Sequence, residues 1–419
     1  MTSELNRSMI VETAAGKVRG VADGPVTVFR GIPYAQAARF GAPQPVRPWH
    51  DVRDATEFGP AAPQLPSRLE RVMGPFEVPQ AEDCLSLNVW APPGTGHPVL
   101  VFLHGGGFSS GAGRLDWYDG AEFAAQGDVV VVTVNYRLGA LGFLRLPGVS
   151  DGNLGLLDQI AALTWVRDNI AAFGGDPSRV TAAGQSAGAI SLVAILSGEQ
   201  GSGLFQQAIL QSAPLGMLPA TPDEAARTGA MLLRELGIEA EQLDEVPVGA
   251  LLAAQLAVAG RAAAPSRVIP PFQLVGDGRV VAADPVDTVR RRADGMRILL
   301  GTTRDEAAAF FSDDWTAMQT VSEQLFRAPT RQLGESLLEH GGKAWCYEFD
   351  WHPENSEFGA CHCLELPFLL GSAAAWQQAP MLGGERPQRL VDEMRRSWIG
   401  FIKDGDPGWE QGSTKHFTG

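Results

Sequence analysis

The sequence predicts an α/β fold in which a mainly parallel central sheet carries helices on both faces. Residues 99–103 and 129–134 are almost entirely apolar and have strand length, as expected for strands buried within a parallel sheet. Between such runs, residues 156–173 place apolar side chains at helical spacing, and the following Gly174-Gly175 pair ends that helix. Strands that alternate with helices in this way predict a sheet covered on both sides.

Further segments continue the same alternation. We predict additional strands at residues 10–21, 26–29, 85–90, 180–183, 208–210, 297–300 and 344–349, and an amphipathic C-terminal helix at 389–402. The 419 residues contain 45% hydrophobic side chains and no internal repeat or linker-like segment, so we predict a single domain over 1–419. Segments at about 216–290 and 307–343 interrupt the alternation, and we predict that these insertions form walls or a cap.

Charge and cysteine content limit the partners that we expect. The formal net charge of −15 argues against binding to nucleic acid or to an anionic membrane surface. Residues 1–16 contain no apolar run typical of an export signal, and no stretch reaches the length of a membrane span. Four irregularly spaced cysteines fit a reducing compartment. We therefore expect a cytoplasmic protein, monomeric or weakly homo-oligomeric, that acts on a small molecule.

A tight turn at Gly184-Gln185-Ser186-Ala187-Gly188 joins a predicted strand to a predicted helix. Glycines on either side of the turn leave room where a Cβ atom would clash, and Ser186 is thereby held with its hydroxyl exposed. This pattern matches the nucleophile elbow of the α/β-hydrolase fold. Because the five-residue pattern alone is weak evidence, its context must agree with it.

Four loops that follow predicted strands carry complementary chemical groups, at residues 104–108, 184–188, 302–306 and 359–364. Ligands bind beyond the C-terminal ends of the strands in open α/β sheets, so these loops are expected to meet. A serine hydroxyl needs an adjacent base to act as a nucleophile, and His362 is the candidate. A carboxylate must orient that imidazole, and the candidate is Glu306, with Asp305 as a rival.

Backbone donors for a developing oxyanion are also available. The N–H groups of Gly106, Gly107 and Ala187 are the candidates. Cys361-His362-Cys363 resembles part of a metal site, but no second cysteine or histidine cluster completes a zinc set, so we predict no metal and no other cofactor.

Several longer motifs identify a resemblance to type-B carboxylesterases, the family of bacterial p-nitrobenzyl esterases and cholinesterases. The motifs are Phe29 to Ala35, Glu82 to Val89, Asn135 to Gly139, Phe173 to Pro177, Leu204 to Ser212 and His362 to Phe368. The resemblance implies a triad of Ser186, Glu306 and His362, and an oxyanion hole of Gly106, Gly107 and Ala187. It further implies a supporting role for Ser212 behind the triad and structural ion pairs Arg39–Glu82 and Arg137–Asp158.

The sequence also departs from the family pattern. Gln185 stands where a glutamate is frequent, and no cysteine precedes Cys84 to form the disulfide of many secreted relatives. The segment between Glu306 and His362 is shorter than usual. Residues 410–419 do not resemble the closing strand of the family, so we expect the sheet to lack material at this edge.

The resemblance implies a serine hydrolase that cleaves carboxylic esters through an acyl-enzyme. Carbamate or amide hydrolysis by the same triad remains an alternative, as does a non-catalytic binding module, although such modules typically lose the nucleophile. With little chain left to cover the site, we expect an open apolar cleft for short-to-medium acyl chains or bulky aryl and benzyl esters. Its candidate lining residues are Phe108, Leu215, Met217, Phe272, Phe310 and Phe311.

Overall fold

The computed structural model describes residues 9–262, 270–311, 314–384 and 386–419. Residues 1–8 of the N-terminal segment, and 263–269 and 312–313 of the two predicted insertions, lie outside the described residues.

The strands are β1 Ile10–Thr13, β2 Gly16–Arg19, β3 Val21–Asp23, β4 Val26–Pro33, β5 Arg53–Asp54, β6 Ser86–Ala91, β7 His97–Leu103, β8 Val130–Val134, β9 Arg145–Leu146, β10 Ser150–Asp151, β11 Gly175–Gln185, β12 Gln207–Gln211, β13 Arg297–Thr303, β14 Lys343–Phe349 and β15 Thr414–Phe417. The α-helices are α1 Glu70–Met73, α2 Ala121–Gly127, α3 Gly139–Phe143, α4 Leu154–Asn169, α5 Ala187–Ser197, α6 Pro222–Leu236, α7 Val248–Ala262, α8 Pro285–Arg291, α9 Trp315–Val321, α10 Ala328–Glu339, α11 Leu366–Leu370, α12 Ala373–Gln378 and α13 Gln388–Asp404.

Ten of these strands form one sheet in the order β15-β14-β13-β12-β11-β7-β8-β6-β4-β3. The pairs from β15 to β8 are parallel, and the pairs from β8 through β6 and β4 to β3 are antiparallel. The predicted α/β fold with a mainly parallel sheet is therefore confirmed.

Side chains of the central strands alternate between two separate hydrophobic clusters, one on each face of the sheet. In β7, Val99, Val101 and Leu103 belong to one cluster, whereas Leu100 and Phe102 belong to the other. Helices α4 and α5 cover the first face, and helices α2 and α13 cover the second. Burial on both faces explains why these strands carry almost no polar side chains.

The described residues of the predicted insertions form mainly helices. Residues 216–290 contain α6, α7 and most of α8, and α6 begins with a capping box formed by Thr221 and Glu224. Residues 307–343 contain α9, a π-helix at Ser322–Arg327, and α10.

The C-terminal edge differs from expectation. Strand β15 pairs in parallel with β14 and supplies the edge that the sequence was expected to lack, so that prediction is wrong. The reason is tertiary packing: the ring of Phe417 is fully buried and contacts Tyr347, Trp398 and Trp409. A four-residue strand with one buried apolar side chain leaves almost no periodic signal in the sequence.

Both expected ion pairs are present. Arg39 pairs with Glu82 at the surface, and Arg137 pairs with the fully buried Asp158 through Nη2 at 2.7 Å and Nε at 2.8 Å. Within the described ranges, none of the helices combines the length and apolarity needed to cross a bilayer.

Candidate active site

Ser186 lies at the junction between β11 and α5. Its backbone angles, φ 54° and ψ −118°, are ones that residues other than glycine rarely adopt. Neighbouring backbone explains the two glycines of this turn. A Cβ atom at Gly184 would lie 2.5 Å from the Gly188 carbonyl carbon, and one at Gly188 would lie 2.1 Å from the Leu103 oxygen. The Ser186 N–H donates to the Gln211 carbonyl at 2.9 Å, which fixes the turn against β12. The elbow predicted from the sequence is therefore formed.

Glu306 and His362 meet beneath this turn. The Nδ1 atom of His362 is in direct hydrogen-bond contact with Glu306 Oε2, and both side chains are fully buried. The other carboxylate oxygen, Oε1, accepts the N–H of Thr303 at 2.9 Å. Since Glu306 follows β13 and His362 follows β14, the parallel register of these strands brings the two loops together. A carboxylate in this position holds the imidazole in one orientation and stabilises its protonated form.

Asp305, the rival acid, has different partners. Its Oδ2 atom accepts from Arg304 at 2.9 Å and from the Ala360 N–H at 3.0 Å, while Oδ1 accepts from Gln319 at 3.2 Å. These contacts join the loop at residues 302–306 to the loop at 359–364 and to helix α9. The geometry thus favours Glu306 over Asp305 as the partner of the imidazole.

The opposite ring nitrogen of His362 faces the elbow. Its Nε2 atom lies 3.1 Å from Gln185 Nε2, and the rings of Phe310 and Phe326 each lie 5.3 Å from the imidazole. No hydrogen bond joins Ser186 to His362 among the described residues, and catalytic hydrogen bonds without substrate are often long. Gln185, the departure from the family pattern, is thus a direct neighbour of the candidate base.

Glu365 was not singled out from the sequence, although it lies in the quoted histidine motif. It is fully buried, and its Oε1 atom accepts from Gln211 Nε2 at 3.3 Å. Burial, reinforced by the nearby negative charge of Glu306, raises the pKa of this carboxyl to about 7. A second ionisable acid therefore lies behind the candidate triad.

Ser212, expected to support the triad, makes a backbone contact instead. Its N–H donates to the Gly301 carbonyl at 2.8 Å, and its buried Oγ atom has no hydrogen-bond partner among the described residues. The residue is in the left-handed region with φ 48°. A supporting role through its hydroxyl thus stays a prediction.

The candidate oxyanion donors surround Ser186. Gly106 and Gly107 have φ values of 112° and 60°, and Ala187 is the first residue of α5. A Cβ atom at Gly106 would lie 2.0 Å from the Ser110 oxygen, so glycine is needed for this close approach. All three residues line one cavity together with Ser186.

This cavity has a volume of about 570 Å³ including its solvent-open part. Phe108, Met217 and Phe310 line it as expected. Leu215, Phe272 and Phe311 are not among the described residues that line it, and they pack against the core clusters on the two faces of the sheet. A substrate-binding role for these three residues stays a prediction.

Further lining residues, which the sequence does not mark, come from distant parts of the chain. They are Ser67, Arg68, Leu69, Ser110, Pro214, Pro270, Leu325 and Phe326. No motif marks these positions, since only the fold brings them to the cavity.

The cysteines beside His362 are buried rather than poised to bind a metal. Burial raises the pKa of both the Cys361 and the Cys363 thiols, which disfavours the thiolate that a metal requires. Cys361 contacts the sulfur of Met381 at 3.6 Å. These side chains serve as core packing around the histidine.

Comparison with known proteins gives consistent matches. A model of the carboxylesterase family matches residues 7–320 and 312–417. A probable N-octanoylanthranilate hydrolase from Rhodococcus erythropolis is 41% identical, with 95% of this chain and 94% of that protein covered. The para-nitrobenzyl esterase of Bacillus subtilis is 38% identical, with 96% and 91% covered. The solved structure of a thermophilic pNB esterase superimposes with a TM-score of 0.88 at 35% identity, covering 98% of this chain and 96% of that one.

Proposed function

Since this chain belongs to the carboxylesterase family and is a serine ester hydrolase, we propose that Ser186, His362 and Glu306 carry its reaction. The observation that supports this most directly is the buried contact between Glu306 and His362, which lies under a strained serine that faces a cavity. Strain at an exposed nucleophile is typical of active sites.

The proposed reaction uses the same groups in both half-cycles. His362 accepts the Ser186 hydroxyl proton while Oγ attacks the ester carbonyl, and the N–H groups of Gly106, Gly107 and Ala187 stabilise the oxyanion. The imidazolium, stabilised by Glu306, then protonates the leaving alcohol. Water repeats the sequence on the acyl-enzyme and releases the acid.

We propose short-to-medium acyl or bulky aryl and benzyl esters as the substrate class. Apolar Phe108, Met217 and Phe310 line a cavity that is open to solvent. A buried methylene contributes only about 0.8 kcal/mol, and an open cavity buries few of them. The relative named para-nitrobenzyl esterase supports the benzyl alternative.

Hydrolysis of an N-acyl bond is a second candidate activity. One relative is named as a probable N-octanoylanthranilate hydrolase, and the proposed nucleophile and oxyanion donors serve either bond. Ester and amide hydrolysis differ mainly in how the leaving group is protonated, so the same cavity admits both.

We further propose a cytoplasmic location and a monomer or weak homo-oligomer. The four cysteines are all free, which fits a reducing compartment.

Kinetics on matched substrates test the proposal. We would measure kcat/KM for p-nitrophenyl esters from acetyl to dodecanoyl, for the corresponding benzyl esters, and for anilides with the same acyl groups. Ser186→Ala should retain the fold by circular dichroism and lose about 10⁴-fold or more in turnover. Retained turnover in that variant would refute the assignment, and a steep preference for dodecanoyl esters would refute the open cavity.

A further inference from the structure

One charged side chain faces the candidate catalytic cavity. Among the described residues that line it, Arg68 is the only charged one. A Cβ atom placed on Gly107 would lie 2.8 Å from Arg68 Nη2, so the guanidinium lies against the backbone of a proposed oxyanion donor. The residue as a whole is exposed, and its side chain lines the cavity that Ser186 faces.

The character of this cation is specific. Desolvation lowers the pKa of Arg68 from its usual value, but a guanidinium is still a cation at neutral pH, and its planar N–H groups match the two oxygens of a carboxylate. The chain as a whole carries a net charge of −15 and therefore repels anions from its surface at long range. The positive charge of Arg68 at the cavity is opposite in sign to the net charge of the chain.

The surrounding wall strengthens the interaction. Phe108, Met217, Phe310 and Phe326 contribute apolar surface to the same cavity. Low-dielectric walls reduce solvent screening, so the attraction between a cation and an anion there exceeds that at an open surface. The location also limits geometry, because a group bound to Arg68 lies near Gly107 and hence near the scissile carbonyl.

We propose that Arg68 binds a carboxylate on the substrate, so that the enzyme prefers esters bearing a carboxylate close to the scissile bond. This inference rests on the proposed function, since it assumes turnover in the Ser186 cavity. The carboxylate belongs either to a short dicarboxylic acyl group or to an aromatic alcohol, and the two sources require separate substrates.

Paired substrates measure this preference. On the alcohol side, 4-acetoxybenzoate is compared with 4-acetoxybenzamide, and on the acyl side, phenyl hydrogen succinate is compared with phenyl succinamate. The ratio of kcat/KM for the charged and neutral member cancels general effects of a substitution on catalysis. We expect Arg68→Gln to lower this ratio about tenfold or more for one pair, and Arg68→Lys to retain part of it.

Arg71→Gln is the matched control. Arg71 lies three residues away in α1, its guanidinium is 3.9 Å from Glu357, and it does not line the cavity. Removing the same charge there should leave both ratios unchanged. Raising the salt concentration from about 0.02 to 0.5 M should lower the wild-type ratio, because ions screen the attraction.

Inhibition by a carboxylate that is not a substrate gives an independent measurement. Competitive inhibition by benzoate, relative to benzamide, should weaken in Arg68→Gln but not in Arg71→Gln. If Arg68→Gln fails to fold, the salt dependence of the wild-type ratio and the Arg68→Lys variant still decide. The inference would be overturned if Arg68→Gln lost kcat/KM equally on the charged and the neutral substrate of each pair. It would also be overturned if the wild-type ratio did not change with salt and equalled the ratios of both Arg68→Gln and Arg71→Gln. The proposed function would instead be overturned if the wild type did not hydrolyse the neutral esters, or if Ser186→Ala still hydrolysed them.

Discussion

Glu365→Gln is predicted to stabilise the protein increasingly as the pH rises. Glu365 is fully buried behind His362, and burial raises the pKa of its carboxyl from 4.5 to about 7. The folded state therefore holds the proton more tightly than the unfolded state. The stabilisation that comes from this tighter proton binding at Glu365 is fully present below about pH 4.5 and is lost as the pH rises through 7. At about 1.4 kcal/mol per tenfold change in proton affinity, the full loss is roughly 3 kcal/mol.

Urea titrations of the wild type and Glu365→Gln at pH 5, 6, 7 and 8 measure this effect. A neutral amide cannot ionise, so the free energy of unfolding of the variant should rise relative to the wild type by roughly 2.5 kcal/mol between pH 5 and pH 8. Glu12→Gln, at an exposed position in β1, should show a constant difference from the wild type. A constant difference for Glu365→Gln as well would refute the inference that this acid is buried in its neutral form near pH 6.

Three other substitutions test the scaffold and the site. Arg137→Met should lower the free energy of unfolding by about 3–5 kcal/mol, because Asp158 stays buried without its guanidinium partner, and adding Asp158→Leu should recover most of this loss in urea titrations. An additive double variant would contradict this. Glu306→Gln should lower kcat about 10⁴-fold at unchanged circular dichroism, whereas Asp305→Asn should retain most activity; the reverse result would reassign the acid. Phe417→Ala should cost about 3–5 kcal/mol in urea titrations if β15 is part of the cooperative fold, and a loss below about 1 kcal/mol would show that it is not.

The parts of the fold that could be predicted are those with strong local signals. Residues 99–103 and 129–134 are buried on both faces, and their composition records this directly. The elbow at Gly184 to Gly188 was also predictable, since clashes with neighbouring backbone exclude larger side chains there. Alternating strands and helices then place the loops of Ser186, Glu306 and His362 at one edge of the sheet.

Features that depend on distant packing were not predictable. Strand β15 has one buried apolar residue, Phe417, and is held by rings from three other segments. Arg68 reaches the cavity from a loop before α1 that carries no recognisable motif. Phe108, Met217, Leu215 and Phe272 all belong to one core cluster, yet only Phe108 and Met217 line the cavity, and the path of the chain rather than apolar character decides this.

Peptide mapping after inactivation with an organophosphate most directly tests the claim that Ser186 is the nucleophile. We predict loss of activity in proportion to labelling, one adduct per chain, and a mass increase confined to Ser186 in the peptide that contains Gly184 to Gly188. An adduct on a different serine, or complete inactivation with Ser186 unmodified, would contradict it.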